Sequence, residues 1–281
     1  MPSAPSASAP ARPAPPRQLS SARNPVLKEA RALQAKKVRA NRQLLVAEGE
    51  DLVAAALARE VAVKAVLFEQ ERFESGHPLT LATARVRERY LVPRQLLSGV
   101  STLAAPPRVL AILHQPTPPS FSEVLMPPSL GLFLAGVADP GNVGTIIRSA
   151  AALGCDWVAL GPGSSDPYHP RAARAAMGAT FALPLLLGVG AEDLATREGL
   201  RIVAAVPEDG RPPWEADLAA PHILALGAER AGLSDSLDVL ETAFPVERVT
   251  IPQTAGAESL NVSAAAAALL SEVRRQRTTG H

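Results

Sequence analysis

From Leu130 to the C-terminus, short apolar runs alternate with segments of helical periodicity, and this alternation constrains the fold more than any other feature of the chain. Leu130–Val137 reads as a buried strand, Asn142–Leu153 as a helix, Trp157–Leu160 as a strand and Pro170–Met177 as a helix. Ile202–Val206, Ile223–Leu226 and Val249–Ile251 follow as short strands, and Asn261–Gln276 as a long helix that ends in basic residues. Strand and helix in turn predict an α/β domain with a mostly parallel sheet covered on both faces.

The first half carries a second, smaller α/β pattern. Asn24 to about Ala40 is helical and basic, Leu44–Glu48 a short strand, Glu50–Arg59 a helix and Val61–Phe68 an alternating strand. Residues 93–100 form a further helix and Arg108–His114 a further strand. This predicts a domain over residues 21–115, of ordinary size. Before it, residues 1–20 are dense in Pro, Ala and Ser, which bury nothing, and are expected to be disordered. After it, Pro116, Pro118, Pro119, Pro127 and Pro128 block both helix and central strand. Residues 116–128 are therefore expected to be a linker, and residues 129–281 the second domain.

Hydrophobic residues make up 47% of the chain but aromatics only 4%, so both cores must be built mostly of Ala, Val and Leu. The single cysteine, Cys155, permits no internal disulfide and no Cys-based metal site, which fits a reducing cytosol. The N-terminus has no apolar signal core, and no run approaches the ~18 apolar residues of a membrane span. A cytoplasmic protein is expected, with neither membrane nor metal as partner.

The net charge of +1 hides a split. Residues 1–120 carry 17 Lys/Arg against 9 Asp/Glu, whereas residues 121–281 carry 11 against 18. Nine basic residues precede position 46, with only Glu29 opposing them. Phosphate contacts supply much of the affinity of a nucleic-acid binder. Lys36, Lys37, Arg39 and Arg42 are thus candidate RNA contacts, although charge alone is slightly better explained by a solvated helix face and a basic tail.

Three loops follow apolar strands directly, where ligands bind in open parallel sheets. The first runs from Asp139 through Pro140, Gly141 and Asn142 to Arg148. Pro-Gly makes a turn, Asn142 is placed to cap the next helix, and Arg148 lies six residues on, about 1.7 turns. The second, Gly227-Ala228-Glu229-Arg230-Ala231-Gly232, offers a glycine where backbone meets ligand and a carboxylate to hold the loop. In the third, Ile251 to Val262, Ser259 and Asn261 bring a hydroxyl and an amide to a helix start. Taken singly, each is as well explained by turns and caps, with Ser259 as the cap of the last helix. Other signatures fail. No dinucleotide-type Gly pattern follows Leu130–Val137, no Gly-Lys-Ser/Thr loop is present, and the five histidines form no ligand-spaced pair.

Taken together, in this order and spacing, the loops resemble the three motifs of the SpoU/TrmH family of SPOUT RNA methyltransferases. Asp139 to Arg148 and Glu258-Ser259-Leu260-Asn261-Val262 match most fully. Residues 20–115 resemble more weakly the substrate-binding domain that often precedes the catalytic one, best at Leu44 to Glu50. The family implies a trefoil-knotted SPOUT fold, a homodimer, S-adenosylmethionine as cofactor and the 2′-hydroxyl of an RNA ribose as methyl acceptor. By resemblance the cofactor lies against Gly227, Ile251 and Leu260. Arg148, Asn142, Glu229, Ser259 and Asn261 fall on functional positions, with Arg148 reaching the other subunit's site, and Arg174 falls on a position that touches RNA. Gln253 stands where the family has an apolar residue, and Ala255 where it has Gly. Ribosomal RNA is the expected target and tRNA the alternative. The second class of reading is a non-catalytic RNA-binding or ribosome-assembly factor on the same fold, against which the joint presence of the five polar residues argues.

Overall fold

The computed structural model describes residues 15–124, 130–196, 199–229, 232–254 and 259–279. The first domain comprises β1 (Arg17–Gln18), α1 (Pro25–Ala32), α2 (Lys36–Arg42), β2 (Leu44–Glu48), α3 (Glu50–Ala58), β3 (Val63–Glu69), α4 (Pro78–Ala82), β4 (Glu88–Val92), α5 (Arg94–Ser98) and β5 (Val109–His114). Its sheet has the order β1-β4-β3-β5-β2, with β1, β4 and β3 parallel and β5 antiparallel to both β3 and β2. Successive side chains leave a strand on opposite faces. In β5, Leu110 and Ile112 pack under one layer with Leu27, Leu33 and Leu97 of the helical side. Val109, Ala111 and Leu113 point the other way, into a core shared with the second domain.

That second domain comprises β6 (Leu130–Ala135), α7 (Pro140–Leu153), β7 (Trp157–Leu160), α8 (Pro170–Ala176), β8 (Leu185–Leu187), α9 (Ala191–Ala195), β9 (Ile202–Ala205), β10 (His222–Gly227), α10 (Ser234–Ala243), β11 (Val246–Val249) and α11 (Val262–Thr279). Six strands pair in the order β11-β9-β10-β6-β7-β8, every pair parallel. Helices α7, α8 and α11 cover one face, over Leu132, Leu134, Val158, Leu224 and Leu226. On the other face, Phe133, Trp157, Ile202 and Ala225 form a core with α9 and α10. The long apolar strands of the sequence are thus buried on both sides, as a parallel sheet requires. Among the described residues no helix is long and apolar enough to cross a membrane.

Residues 15–20, at the end of the segment expected to be disordered, carry order, whereas residues 1–14 lie outside the described residues. Arg17–Gln18 pairs with Tyr90–Leu91 of β4, and Leu19, 6% exposed, is buried behind it. Two backbone pairings and one apolar anchor outweigh the local composition. Nor is the proline-rich stretch a plain tether. Helix α6 (Phe121–Val124) lies within it, and Phe121 meets Trp157 edge to face with ring centroids 6.4 Å apart. Residues 125–128 of the expected linker lie outside the described residues.

The two domains are joined by side chains as well as by the chain. Arg39 of α2 is 1% exposed and forms an ion pair with Asp166, in the segment between β7 and α8, at 2.6 Å. Its remaining donors meet the carbonyls of Leu33 and Gln34. Arg174 of α8 reaches Glu48 at 2.6 Å and the Thr102 hydroxyl at 2.7 Å. Gly178 completes the junction in a left-handed conformation (φ 86°), where a β-carbon would stand 2.4 Å from that of Ala55 in α3.

Candidate active site

The strand-end loops converge. Asp139, not Asn142, caps α7: its Oδ1 accepts from the Asn142 backbone N–H at 2.9 Å. Arg171 fixes the second oxygen of Asp139 at 3.0 Å. Asn142 is thereby left with its side chain free to point at the second loop. In that loop Ala228 and Gly232 exchange backbone hydrogen bonds at 3.0 and 2.8 Å. Gly227 is needed for this closure, because a β-carbon there would lie 2.0 Å from the Gly232 carbonyl carbon. The space beside its α-carbon on that side is taken by the loop's own backbone, while Gly227 also lines the neighbouring cleft.

This closure sets Glu229 at the centre of a polar cluster. Its Oε1 accepts from Asn142 Nδ2 at 2.5 Å and from Asn261 Nδ2 at 2.7 Å. Asn261 Nδ2 also reaches Asn142 Oδ1 at 3.2 Å. The other end of Asn261 caps α11: Oδ1 accepts from the Ser263 backbone at 2.9 Å and from its hydroxyl at 2.6 Å. Asn261 therefore holds the cap expected of Ser259. One residue from each loop, separated by up to 119 positions in sequence, meets at a single carboxylate oxygen.

Beside the cluster lies a cleft of about 740 Å³, open to solvent, at the carboxyl ends of β9, β10 and β11. Leu226, Val249, Ile251, Leu260 and Val262 make its wall apolar, and Gly227, Glu229, Gln253 and Ser259 supply polar atoms at its margin. Leu260 is 42% exposed although it is large and apolar, which suits a wall that meets a ligand. Val206 and Pro207 also line it; sequence reasoning passed over them, although they directly follow an apolar strand. Of the sequence candidates, Gly227, Glu229, Ile251, Ser259 and Leu260 line the cleft, and Asn142 and Asn261 adjoin it through Glu229. Ala255 and Glu258 lie outside the described residues.

Arg148 is elsewhere. It is exposed on α7, on a stripe with Thr145 and Ala152, and forms no hydrogen bond or ion pair among the described residues. It does not line the cleft. The expected RNA contacts also divide. Lys36 and Lys37 are exposed, and Arg42 pairs with Glu29 at 2.8 Å. Arg39 is no RNA contact: its guanidinium is buried and occupied at the domain junction, as above. Arg174 likewise reaches across that junction to a buried carboxylate. A charge count along the sequence does not register that Glu48 and Asp166 are the partners.

A ligand cleft at the carboxyl ends of parallel strands, edged by a carboxylate–amide cluster and joined to a separate α/β domain, defines an α/β enzyme with an added substrate domain. Residues 129–271 match the model of the SpoU rRNA Methylase family and residues 24–111 that of the MRM3-like substrate binding domain. The chain belongs to the SpoU rRNA Methylase family. It is 32% identical to the 23S rRNA (guanosine(2553)-2′-O)-methyltransferase RlmP of Bacillus subtilis, over 92% of this chain and 99% of that one. It is 31% identical to the 23S rRNA (uridine(2479)-2′-O)-methyltransferase of Streptomyces viridochromogenes, over 71% of each. Among solved structures, the AdoMet-bound rRNA methyltransferase from Sinorhizobium meliloti superposes with a TM-score of 0.79 at 30% identity, over 92% of this chain and 97% of that one.

Proposed function

We propose that this protein transfers the methyl group of S-adenosylmethionine to a ribose 2′-hydroxyl of ribosomal RNA, in the cytoplasm. The observation that carries the reading is the meeting of Asn142, Glu229 and Asn261 at the mouth of an apolar cleft. The cleft fits the cofactor in chemistry as well as in size: apolar walls for a purine, strand-end backbone for its polar edge, and the Glu229 carboxylate to attract a positive sulfonium. When bound, the cofactor supplies an electrophilic methyl group on that sulfonium.

The protein must then hold the hydroxyl in line and favour loss of its proton, and alignment alone removes much of the barrier. Arg148 is suited to bind the neighbouring phosphate and to stabilise a developing alkoxide, since a guanidinium presents several N–H donors in a planar fork to oxyanions. Because Arg148 lies outside its own cleft, this role belongs to the site of a second subunit, so the active form is a homodimer joined beside the exposed face of α7. Asn142, Glu229 and Asn261 then hold the loops in shape, while Ser259 offers a hydroxyl at the cleft margin. The trefoil knot belongs to the same reading. It is supported by the path of the chain, which leaves the sheet edge at β11 and returns α11 to pack on α7.

The test is to incubate the protein with labelled S-adenosylmethionine and unmodified total RNA and to map 2′-O-methyl sites. Label in ribosomal RNA at one ribose is the expected result. Label in tRNA alone would change the target. Cofactor binding by calorimetry without transfer to any RNA would sink the enzyme reading in favour of an assembly factor.

A further inference from the structure

The structure contains a cationic cleft whose lining shares no residue with the methyl-transfer cleft. At the outer edge of the first domain a cleft is lined by Arg17, Arg85, Arg87 and Arg89, with no acidic residue in its wall. Arg85 and Arg87 stand on the turn between α4 and β4, exposed, and with Arg17 they form no ion pair among the described residues. Arg17 is held in place from β1: its guanidinium stacks on Tyr90 at 5.0 Å from the ring centroid and reaches the phenol oxygen at 3.4 Å. Arg89 forms the floor. It is 6% exposed, donates to the Thr80 carbonyl at 3.3 Å, and its burial lowers the guanidinium pKa from the ordinary value. A desolvated cation gains more from an incoming anion than a solvated one does.

The contrast with the neighbouring surface is informative. The adjoining hollow of the same domain, beside Asn24 and Lys28, also contains Arg42 and Lys64, but both are paired with Glu29 at 2.8 and 2.7 Å. The edge cleft instead gathers three guanidinium groups, of Arg17, Arg85 and Arg87, that no carboxylate neutralises among the described residues. Guanidinium is the side chain that matches phosphate with a planar fork.

We propose that the cleft of Arg17, Arg85, Arg87 and Arg89 is a phosphate-backbone anchor for the RNA substrate, separate from the methyl-transfer site. The proposal rests on the RNA reading of the preceding section. Its position gives it a definite consequence. β2 is the sheet edge that packs against α8 of the second domain, and β1 is the opposite edge. Four strand intervals lie between them, about 19 Å at ~4.8 Å each. A phosphate held at the anchor therefore belongs to a part of the RNA remote from the methylated ribose. The anchor selects folded RNA that spans both domains, and contributes affinity rather than chemistry.

Full-length protein carrying Arg85→Gln and Arg87→Gln should be titrated with end-labelled total ribosomal RNA across a salt series. Affinity is expected to fall roughly 10-fold at ~0.1 M salt, and the salt slope to become shallower by about one for each phosphate that is no longer neutralised. S-adenosylmethionine affinity by calorimetry should stay at the wild-type value. A charge-matched variant, Lys28→Gln with Lys64→Gln, should bind RNA as wild type. Unchanged affinity and slope in the Arg85/Arg87 variant overturn the anchor, as does an equal loss in the lysine variant, which would indicate bulk charge. The two readings fail separately. Wild-type protein that binds RNA with an Arg85/Arg87-dependent salt slope but transfers no methyl overturns the enzyme and leaves the anchor. Active enzyme with an indifferent double variant overturns the anchor alone.

Discussion

At the scale of single residues, the proposed roles divide: Asn142, Glu229 and Asn261 shape the cleft margin, and Arg148, the proposed stabilising group, stands apart from it on α7. Glu229 accepts two amide donors on one oxygen, so its geometry depends on Asn142 and Asn261 together. Arg148 is exposed and has no ion-pair partner among the described residues, as its proposed role requires. Arg148→Ala should lower methyl transfer by at least about 100-fold, the order seen when a preorganised stabilising group is removed, with S-adenosylmethionine affinity unchanged by calorimetry. Near-normal turnover would remove Arg148 from the mechanism. Asn261 has two functions that one variant can separate. Asn261→Asp keeps an oxygen to cap α11 but sets a carboxylate against Glu229 where an amide donated. Thermal stability should stay close to wild type while turnover falls on the order of 100-fold, as misplacement of a site by about 1 Å does. Equal loss of both would mean that Asn261 matters only as a cap.

At the scale of elements, the strand-to-helix loops depend on backbone closeness. Gly227→Ala places a β-carbon within 2.3 Å of three backbone atoms of Gly232 and Leu233. These cannot rotate away, so the loop must open, at about 1–3 kcal/mol for overpacking. Weaker cofactor binding is the expected outcome, and unchanged binding would show that the loop is not part of the cleft. The start of β10 carries a different sensitivity. His222 is buried, with its Nδ1 2.8 Å from the Ala220 carbonyl, and burial pushes its pKa down from 6.5 to about 4. The unfolded chain takes up this proton below about 6.5 and the folded chain only near 4. The contribution is therefore complete above about pH 6.5 and lost as pH falls through 4, amounting to about 3 kcal/mol at 1.36 kcal/mol per pH unit. The denaturation midpoint should drop over this window, and His222→Gln should flatten the drop.

The same scale explains what was legible in the sequence. Strands β6, β7, β9 and β10 are apolar on both faces and announce themselves as continuous runs. β4 does not: Glu88, Arg89 and Tyr90 look like a solvated turn, because the burial of Arg89 comes from packing rather than from its own chemistry. β8 was hidden by Pro184 at its entrance, α9 by its length of five residues, and α10 by the acidic residues among its few apolar ones. The three loops were legible as candidates, but their meeting at Glu229 depends on how α7, β10 and α11 stack. Capping was misassigned at two of them for a common reason. Several neighbouring polar residues were competent caps, and the fold chose Asp139 and Asn261, each held by a further contact.

At the scale of the whole molecule, the first domain is not a tethered accessory. Its β2–α3 layer shares one apolar core with the second domain's sheet, and the Arg39–Asp166 pair closes the junction with both charges nearly out of water. Such a pair contributes little compared with an apolar replacement, but breaking it from one side leaves an uncompensated buried charge. Asp166→Asn should therefore destabilise the protein by about 3–5 kcal/mol, seen as a shift of the denaturant midpoint with cofactor absent. Arg39→Met combined with Asp166→Asn should recover much of that loss, because no buried charge then lacks its partner. A shared core also predicts the form of the transition. Fluorescence of Trp157, in the second domain, and hydrogen exchange in β3 and β5, in the first, should report one common unfolding step in wild type. In Asp166→Asn the first domain should loosen ahead of the second. If the single variant unfolds at the wild-type midpoint, the junction is held without this pair, by apolar packing and the Arg174–Glu48 contact. The orientation of the arginine-lined edge relative to the methyl-transfer cleft would then rest on those contacts rather than on the Arg39–Asp166 pair.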